Sequence, residues 1–303
     1  MWATAAEGVL VTKRRATGVV RKARAVAPEL TGKKLGTPEA HFSADQAPDA
    51  PVLVYHLRKT GGSSLEQFVR ANVARIAGEV EILRDHISKR GDPLGNIRAY
   101  REWYRGLDLE RRARLRCVMG RTTGYLLPSL DRPAETLTLV REPVDRVISC
   151  HFDFKQRQPR SDEPLALLEE IYASADRLAA GSTTAWEYFN GQSRQLLSVF
   201  YDVDSLPLSA GPHTGAALWR ERLHDLVERI YFVGVQERFV DFVAEVAARH
   251  DWVPMVYERK RNNDRIDVDD LPDALAETIR AHNWLDEELH ELCRFVQARR
   301  RRL

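Results

Sequence analysis

From Pro51 onward, short apolar runs alternate with helical patterns, and this alternation is what most constrains the fold of the 303-residue chain. The runs are rich in Val, Ile, Leu and aromatic residues, as buried parallel strands tend to be. They lie at residues 52–57, 79–83, 115–119, 136–140 and 230–235. In the helical pattern after the first run, Leu65, Phe68 and Val69 recur at helical spacing. Alternation of this kind predicts a doubly wound, three-layer α/β/α fold with a central parallel sheet and helices on both faces.

The domain organisation follows from changes in composition. We interpret residues 1–50 as a basic arm and linker, and residues 51–303 as the compact domain. Within residues 1–45, eight Lys or Arg stand against four acids, so the arm is predicted either to contact an anionic membrane surface or to remain a solvated extension. Residues 160–229 are mostly helical in pattern, and we interpret them as an insertion that forms the acceptor cleft.

Composition excludes several classes of function. Charged residues make up 30% of the chain and apolar residues 44%, the balance of a soluble globular protein. The net charge of +2 indicates no nucleic-acid partner. The cysteines Cys117, Cys150 and Cys293 are odd in number and widely spaced, which favours neither a disulfide framework nor a zinc site. No apolar run approaches the roughly 20 residues of a membrane helix, and we expect a cytoplasmic protein.

The segment between the first strand and the first helix has the composition of a phosphate-binding loop. Gly61 and Gly62 allow close approach of a ligand, and we expect the N–H groups near Ser63 and Ser64 to be free to donate. Lys59 adds a positive charge, so a phosphate fits at this helix N-terminus. A plain turn followed by an N-cap is the alternative interpretation.

The strand at residues 136–140 ends in Arg141, and Pro143 marks a helix start behind it. Loops that bind ATP or GTP place lysine after their last glycine and rely on a strand-ending acid for magnesium, and this chain has neither feature. Arg141 and Ser149, two turns into the helix, are predicted to converge on a second phosphate. A solvated, capped helix start is the alternative.

Five stretches resemble the carbohydrate-type sulfotransferases. "YHLRKTGGSSL" is similar to their 5′-phosphosulfate loop, and "TLVREPVDRVIS" is similar to their 3′-phosphate motif. Three further stretches resemble family landmarks: "FNGQSRQL" at 189–196, "VGVQERFVDFVAEVAARHDW" at 233–252, and "HNWLDEELHEL" at 282–292. The matches cover roughly residues 51–298 in the family's order, and five ordered matches are more specific than any single motif. The resemblance implies the P-loop-like form of the three-layer α/β/α fold.

The resemblance implies transfer of a sulfuryl group from 3′-phosphoadenosine 5′-phosphosulfate (PAPS) to a hydroxyl of a carbohydrate, glycolipid or small-molecule acceptor, with no metal required. It implies that Lys59 contacts the 5′-phosphate and the bridging oxygen, and that Arg141 and Ser149 bind the 3′-phosphate. The remaining residues that it places around the 5′-phosphate are Arg58, Thr60, Gly61, Gly62, Ser63 and Ser64. Arg58 stands where the family has proline, which predicts a less rigid loop.

The general base is less clearly indicated. Relatives carry a histidine after the glycine that ends the third strand, whereas Gly120 is followed here by Arg121, which suits an acidic substrate or the transferring sulfuryl group. We therefore predict His86 as the base, with Asp85 second. Glu66 is a further candidate, although an acid near a helix N-terminus is favourable in its own right. An ATP-dependent kinase and a non-catalytic binder of nucleotides or polyanions remain the alternative functions.

Overall fold

The structure is a computed structural model that describes residues 33–34, 50–76, 101–130, 134–157, 164–179, 182–201, 203, 206–211, 215–229, 231–256 and 266–302. The strands are β1 (Lys33–Lys34), β2 (Val52–Tyr55), β3 (Cys117–Gly120), β4 (Glu135–Val140), β5 (Tyr231–Val235) and β6 (Met255–Val256). The helices are α1 (Gly62–Ile76), α2 (described over 101–105), α3 (Leu109–Arg114), α4 (Pro143–Arg157), α5 (Pro164–Ala173), α6 (Thr183–Tyr188), α7 (Gly191–Leu197), α8 (Ala216–Arg229), α9 (Phe239–His250), α10 (Asp273–His282) and α11 (Trp284–Arg300). Short 3-10 helices lie at Thr123–Ser129, Ala175–Arg177, Gln236–Arg238 and Val268–Asp270.

Four strands form a parallel sheet in the order β3-β2-β4-β5. Tyr55 at the end of β2 is in register with Gly120 of β3 and Thr138 of β4, and Val140 pairs with Val235 of β5. The predicted mixed α/β fold with a central parallel sheet is therefore confirmed. The predicted strand at residues 79–83 lies outside the described residues.

A second, two-stranded sheet was not predicted. It pairs β1 with β6 in antiparallel register, so that Lys33 lies opposite Val256. The backbone of this piece of the N-terminal arm therefore contacts the chain beyond α9.

Helices cover both faces of the parallel sheet because successive strand residues point in opposite directions. Val52 and Val54 pack with apolar side chains of α1 and α9. Tyr55 and Leu57 pack on the other face with side chains of α7, α8 and α11. A third cluster joins α4, α5 and α10. Among the described helices, none is long and apolar enough to cross a membrane.

The sheet topology creates a crevice between β2 and β4. The chain leaves β2 through α1 and next enters the described sheet at β3 on one side, whereas β4 and β5 lie on the other side. Ligands of open α/β sheets bind at such a switch point, beyond the carboxyl ends of the strands. The loop after β2 and Arg141 after β4 both fall at this edge.

Candidate functional site

The loop between β2 and α1 is fixed by its own hydrogen bonds. Lys59 adopts a left-handed backbone conformation with φ of 65°, which is uncommon for a residue with a side chain. The buried hydroxyl of Thr60 donates to the Leu57 carbonyl at 3.0 Å. Ser64 N–H donates to the Gly61 carbonyl at 3.0 Å, so the prediction that this N–H is free was wrong. Gly62 and Ser63 are the first two residues of α1, so their N–H groups lie at the helix N-terminus.

Gly62 lets the loop lie directly on the ring of His56. A Cβ atom at Gly62 would stand 2.1 Å from Cδ2 of His56, far inside any tolerated contact. The ring is held in place because its Nδ1 lies 2.9 Å from Oε1 of Glu66. The Glu66 carboxylate, one of the candidate bases, is therefore paired with an imidazole.

Acidic side chains from the neighbouring helices neutralise the cations of the loop. Lys59 Nζ lies 3.2 Å from Oδ1 of Asp153 on α4. The guanidinium of Arg58 approaches Asp153 at 3.6 Å and forms an ion pair with Glu187 on α6. The backbone N–H of Arg58 donates to Oε1 of Gln195 on α7 at 3.2 Å. The sequence predicted only that the loop loses a rigid proline, whereas the structure anchors Arg58 to three helices.

Arg141 is buried at the end of β4, with 3% of its side chain exposed. Its Nη1 donates to the Lys59 carbonyl at 3.1 Å, and its guanidinium pairs with Asp145 in the first turn of α4. Burial lowers the pKa of Arg141 to about 10, and the negative charge of Glu237 opposes that shift. The group is still protonated at neutral pH, so a buried positive charge adjoins the loop.

One stripe of α4 faces the loop and Arg141. Asp145, Ser149 and Asp153 are spaced four residues apart and so share a helix face. Asp145 pairs with Arg141 at one end of the stripe, and Asp153 pairs with Lys59 at the other. Ser149 is buried between them, on the face that adjoins both predicted phosphate subsites.

The other residues predicted to act in catalysis are Arg121, His86 and Asp85. Arg121 is exposed at the same sheet edge, directly after Gly120, whose carbonyl accepts the N–H of His56 at 3.0 Å. His86 and Asp85 lie outside the described residues.

Two helix ends beside Arg141 cap each other, and sequence reasoning missed this. Asn190, before α7, accepts the N–H groups of Leu285 and Asp286 through its Oδ1, at 2.9 and 3.2 Å. Asp286, in the first turn of α11, accepts the N–H groups of Gln192 and Ser193 at 3.1 and 2.7 Å. Asparagine and aspartate are favoured at helix starts, so Asn190 and Asp286 could have indicated from the sequence where α7 and α11 begin.

Within the part of the chain that the structure describes, no cluster of three or more His, Cys, Asp or Glu side chains has the arrangement of a metal site. No protein-family model matches the chain, and no curated protein matches it. Among solved structures, the chain is similar to the crystal structure of a sulfotransferase from Alicyclobacillus acidocaldarius. The two share 16% identity over 81% of this chain and 96% of that chain, with a TM-score of 0.40.

Proposed function

We propose that the chain is a sulfotransferase that uses PAPS as the sulfuryl donor. The observation that carries the proposal is the hydrogen bond between Arg141 Nη1 and the Lys59 carbonyl, at 3.1 Å. The two residues belong to separate motifs, one predicted to bind a 5′-phosphate and the other a 3′-phosphate. Both phosphates of PAPS are carried by one ribose, so their protein sites have to be neighbours. The bond between Arg141 and Lys59 meets that requirement.

The charges at the site suit a donor with two anionic ends. Arg141 supplies a buried cation for the 3′-phosphate, with the Ser149 hydroxyl on the adjoining face of α4. Lys59 and the N–H groups of Gly62 and Ser63 supply donors for the 5′-phosphosulfate. Asp153 neutralises Lys59 in this structure, and the donor has to displace that contact to reach the lysine.

In the proposed reaction the acceptor oxygen forms a bond to sulfur while the bond from sulfur to the 5′-phosphate oxygen breaks. Negative charge therefore develops on the departing phosphate, where Lys59 and the helix N-terminus stabilise it. The acceptor's proton passes to a base, for which we propose His86 first and Asp85 second. Arg121, exposed at the same edge, is assigned to an acidic acceptor or to the transferring group.

The acceptor is proposed to be a hydroxyl of a carbohydrate, glycolipid or small molecule, bound beside the helices of the 160–229 insertion. From the described part of this insertion, the side chains of Glu187 and Gln195 reach the loop. Both contact Arg58, so an acceptor in this cleft would lie within reach of the transfer lysine. We further propose a cytoplasmic enzyme whose basic arm contacts anionic membranes.

The proposal is tested by incubating the protein with PAPS and a panel of hydroxyl acceptors while adenosine 3′,5′-bisphosphate release is measured. Lys59→Met should lower turnover by about 100-fold or more, because charge on the leaving phosphate loses its main stabilisation. Arg114→Met, which removes an exposed cation on α3, is the matched control and should leave turnover unchanged. Equal turnover in Lys59→Met and wild type would contradict the proposal.

A non-catalytic nucleotide binder is the second candidate, favoured by Arg121 at the position where a base is expected. It predicts tight binding of the bisphosphate without its release from PAPS. Replacing His86 by Ala separates the two functions. In a sulfotransferase this change should lower turnover and leave bisphosphate affinity within about twofold, because a base acts on the proton and not on the nucleotide.

A further inference from the structure

The short helix α7 carries two glutamines that contact opposite halves of the candidate site. Gln192 and Gln195 are three residues apart and so lie on one side of the helix. Gln192 contacts the backbone of Arg141, on the 3′-phosphate side. Gln195 contacts the backbone of Arg58, on the 5′-phosphate side.

Gln192 forms a two-bond pair with the backbone of Arg141. The Arg141 N–H donates to Oε1 of Gln192 at 2.8 Å, and Nε2 of Gln192 donates to the Arg141 carbonyl at 2.9 Å. Val140 is the last β4 residue that pairs with β5. Arg141 comes next and is buried, so its backbone N–H and carbonyl need partners outside the sheet. One planar amide thus fixes the peptide groups on both sides of the Arg141 Cα, and with them the direction of its side chain.

Gln195 joins α7 to the loop in two ways. Its side-chain Oε1 accepts the N–H of Arg58 at 3.2 Å. Its backbone carbonyl accepts the hydroxyl of Tyr55, the last residue of β2, at 2.7 Å. The start of the loop and the end of its strand are therefore both held by the same residue of α7.

The position of α7 is itself determined by α11. Asp286 accepts the N–H groups of Gln192 and Ser193, and Asn190 caps α11 in return. Arg194, fully buried on α7, donates to the carbonyls of Phe189 and Val203 at 2.9 and 2.8 Å. Because these groups are buried and hydrogen-bonded, α7 cannot shift without breaking several bonds at once.

We propose that α7 sets the distance and orientation between the two phosphate subsites. In this proposal Gln192 is the positioning residue for the 3′-phosphate arginine, and Gln195 is the positioning residue for the 5′-phosphate loop. The proposal rests on the sulfotransferase function above, because it takes its two subsites from the PAPS site. The segment "FNGQSRQL" thus acts by holding Arg141 and the loop in place, and not by contact with the nucleotide.

The test compares Gln192→Met with Gln195→Met, the same near-isosteric change at two positions of one helix. Affinities are measured by calorimetry for adenosine 5′-monophosphate, adenosine 3′-monophosphate and adenosine 3′,5′-bisphosphate. Gln192→Met should weaken both ligands that carry a 3′-phosphate by about tenfold, while the 5′-monophosphate stays within about twofold. Gln195→Met should weaken both ligands that carry a 5′-phosphate by about threefold or more and leave the 3′-monophosphate unchanged.

A purely structural role predicts a different pattern, in which each variant weakens all three ligands together, and that result would overturn the proposal. If Gln192→Met does not fold, Gln192→Glu decides the question. It keeps an acceptor for the Arg141 N–H and loses the donor to the Arg141 carbonyl, and it should show the same selective loss.

A wild-type protein that does not prefer the bisphosphate over both monophosphates would contradict the proposed function itself. If the wild type prefers the bisphosphate and both variants keep all three affinities unchanged, only the role of α7 is overturned.

Discussion

Arg141 and Lys59, 82 residues apart in the chain, are joined by a hydrogen bond from the guanidinium Nη1 to the lysine carbonyl at 3.1 Å. The bond joins the Lys59 backbone to a buried cation, while the Lys59 ammonium group pairs with Asp153. Lys59 also has a left-handed backbone conformation, with φ of 65°, which is uncommon for a residue with a side chain. The two predicted phosphate subsites are thus direct neighbours.

Replacing Asp153 by Asn should increase the affinity for adenosine 3′,5′-bisphosphate by about threefold or more. The carboxylate pairs with both Lys59 and Arg58, so it competes with an incoming 5′-phosphate for the same cations. Calorimetric titration at two salt concentrations measures the effect, which should shrink as salt rises. Asp269→Asn, at an exposed position on a 3-10 helix, is the matched control. Weaker binding by Asp153→Asn would show that this carboxylate orients Lys59 and does not compete with the ligand.

Replacing Gly62 by Ala should destabilise the protein by about 1–3 kcal/mol, because the added methyl group would overlap the ring of His56. Removing that ring in the double variant Gly62→Ala, His56→Ala should recover part of the loss, which a double-mutant cycle of urea unfolding detects. Gly106→Ala is the control, since its Cβ would lie 3.3 Å from the Glu102 carbonyl oxygen, a tight contact without the overlap found at Gly62. Strict additivity of the two substitutions would mean that the ring and the loop are not in contact.

Strand positions and the location of the loop were predictable from the sequence because both depend on local patterns. The run at residues 136–140 becomes β4 with one added residue, and the helix predicted at Pro143 begins there. The run at 115–119 begins two residues later, as β3 at Cys117–Gly120. Local patterns of this kind report burial and turn chemistry, which neighbouring residues determine.

The contacts that shape the site could not be predicted, because they join residues far apart in the chain. Gln192 reaches Arg141 across 51 residues, and Asp286 reaches Gln192 across 94. No periodicity encodes such a pair. Arg58 illustrates the same limit, since its ion pairs depend on Glu187 and Asp153 on two other helices.

Replacing Glu287 by Gln should make the folded protein more stable at pH 8 and leave it nearly unchanged at pH 5. Burial, followed by the charge of Glu142, raises the pKa of Glu287 from 4.5 to about 7, against the opposing charges of Arg280 and His290. An acid with a raised pKa binds its proton more tightly in the folded state, so wild-type stability is lost as pH rises from about 4.5 to 7.

Because Glu287 is one-third exposed, we expect a gain on the order of 1 kcal/mol at pH 8. Urea unfolding of both proteins at the two pH values measures it. An equal difference between variant and wild type at pH 5 and pH 8 would contradict the raised pKa.

The most direct test of the central claim is calorimetric titration of the purified protein with adenosine 3′,5′-bisphosphate, in parallel with ATP plus magnesium. We predict micromolar or tighter binding of the bisphosphate without metal. Arg141→Ala should weaken that binding by about 100-fold, since a buried charge-assisted contact to phosphate is lost. Preference for ATP with magnesium would contradict the proposed function and favour a kinase. Bisphosphate binding that does not depend on Arg141 would contradict the assignment of Arg141 to the 3′-phosphate.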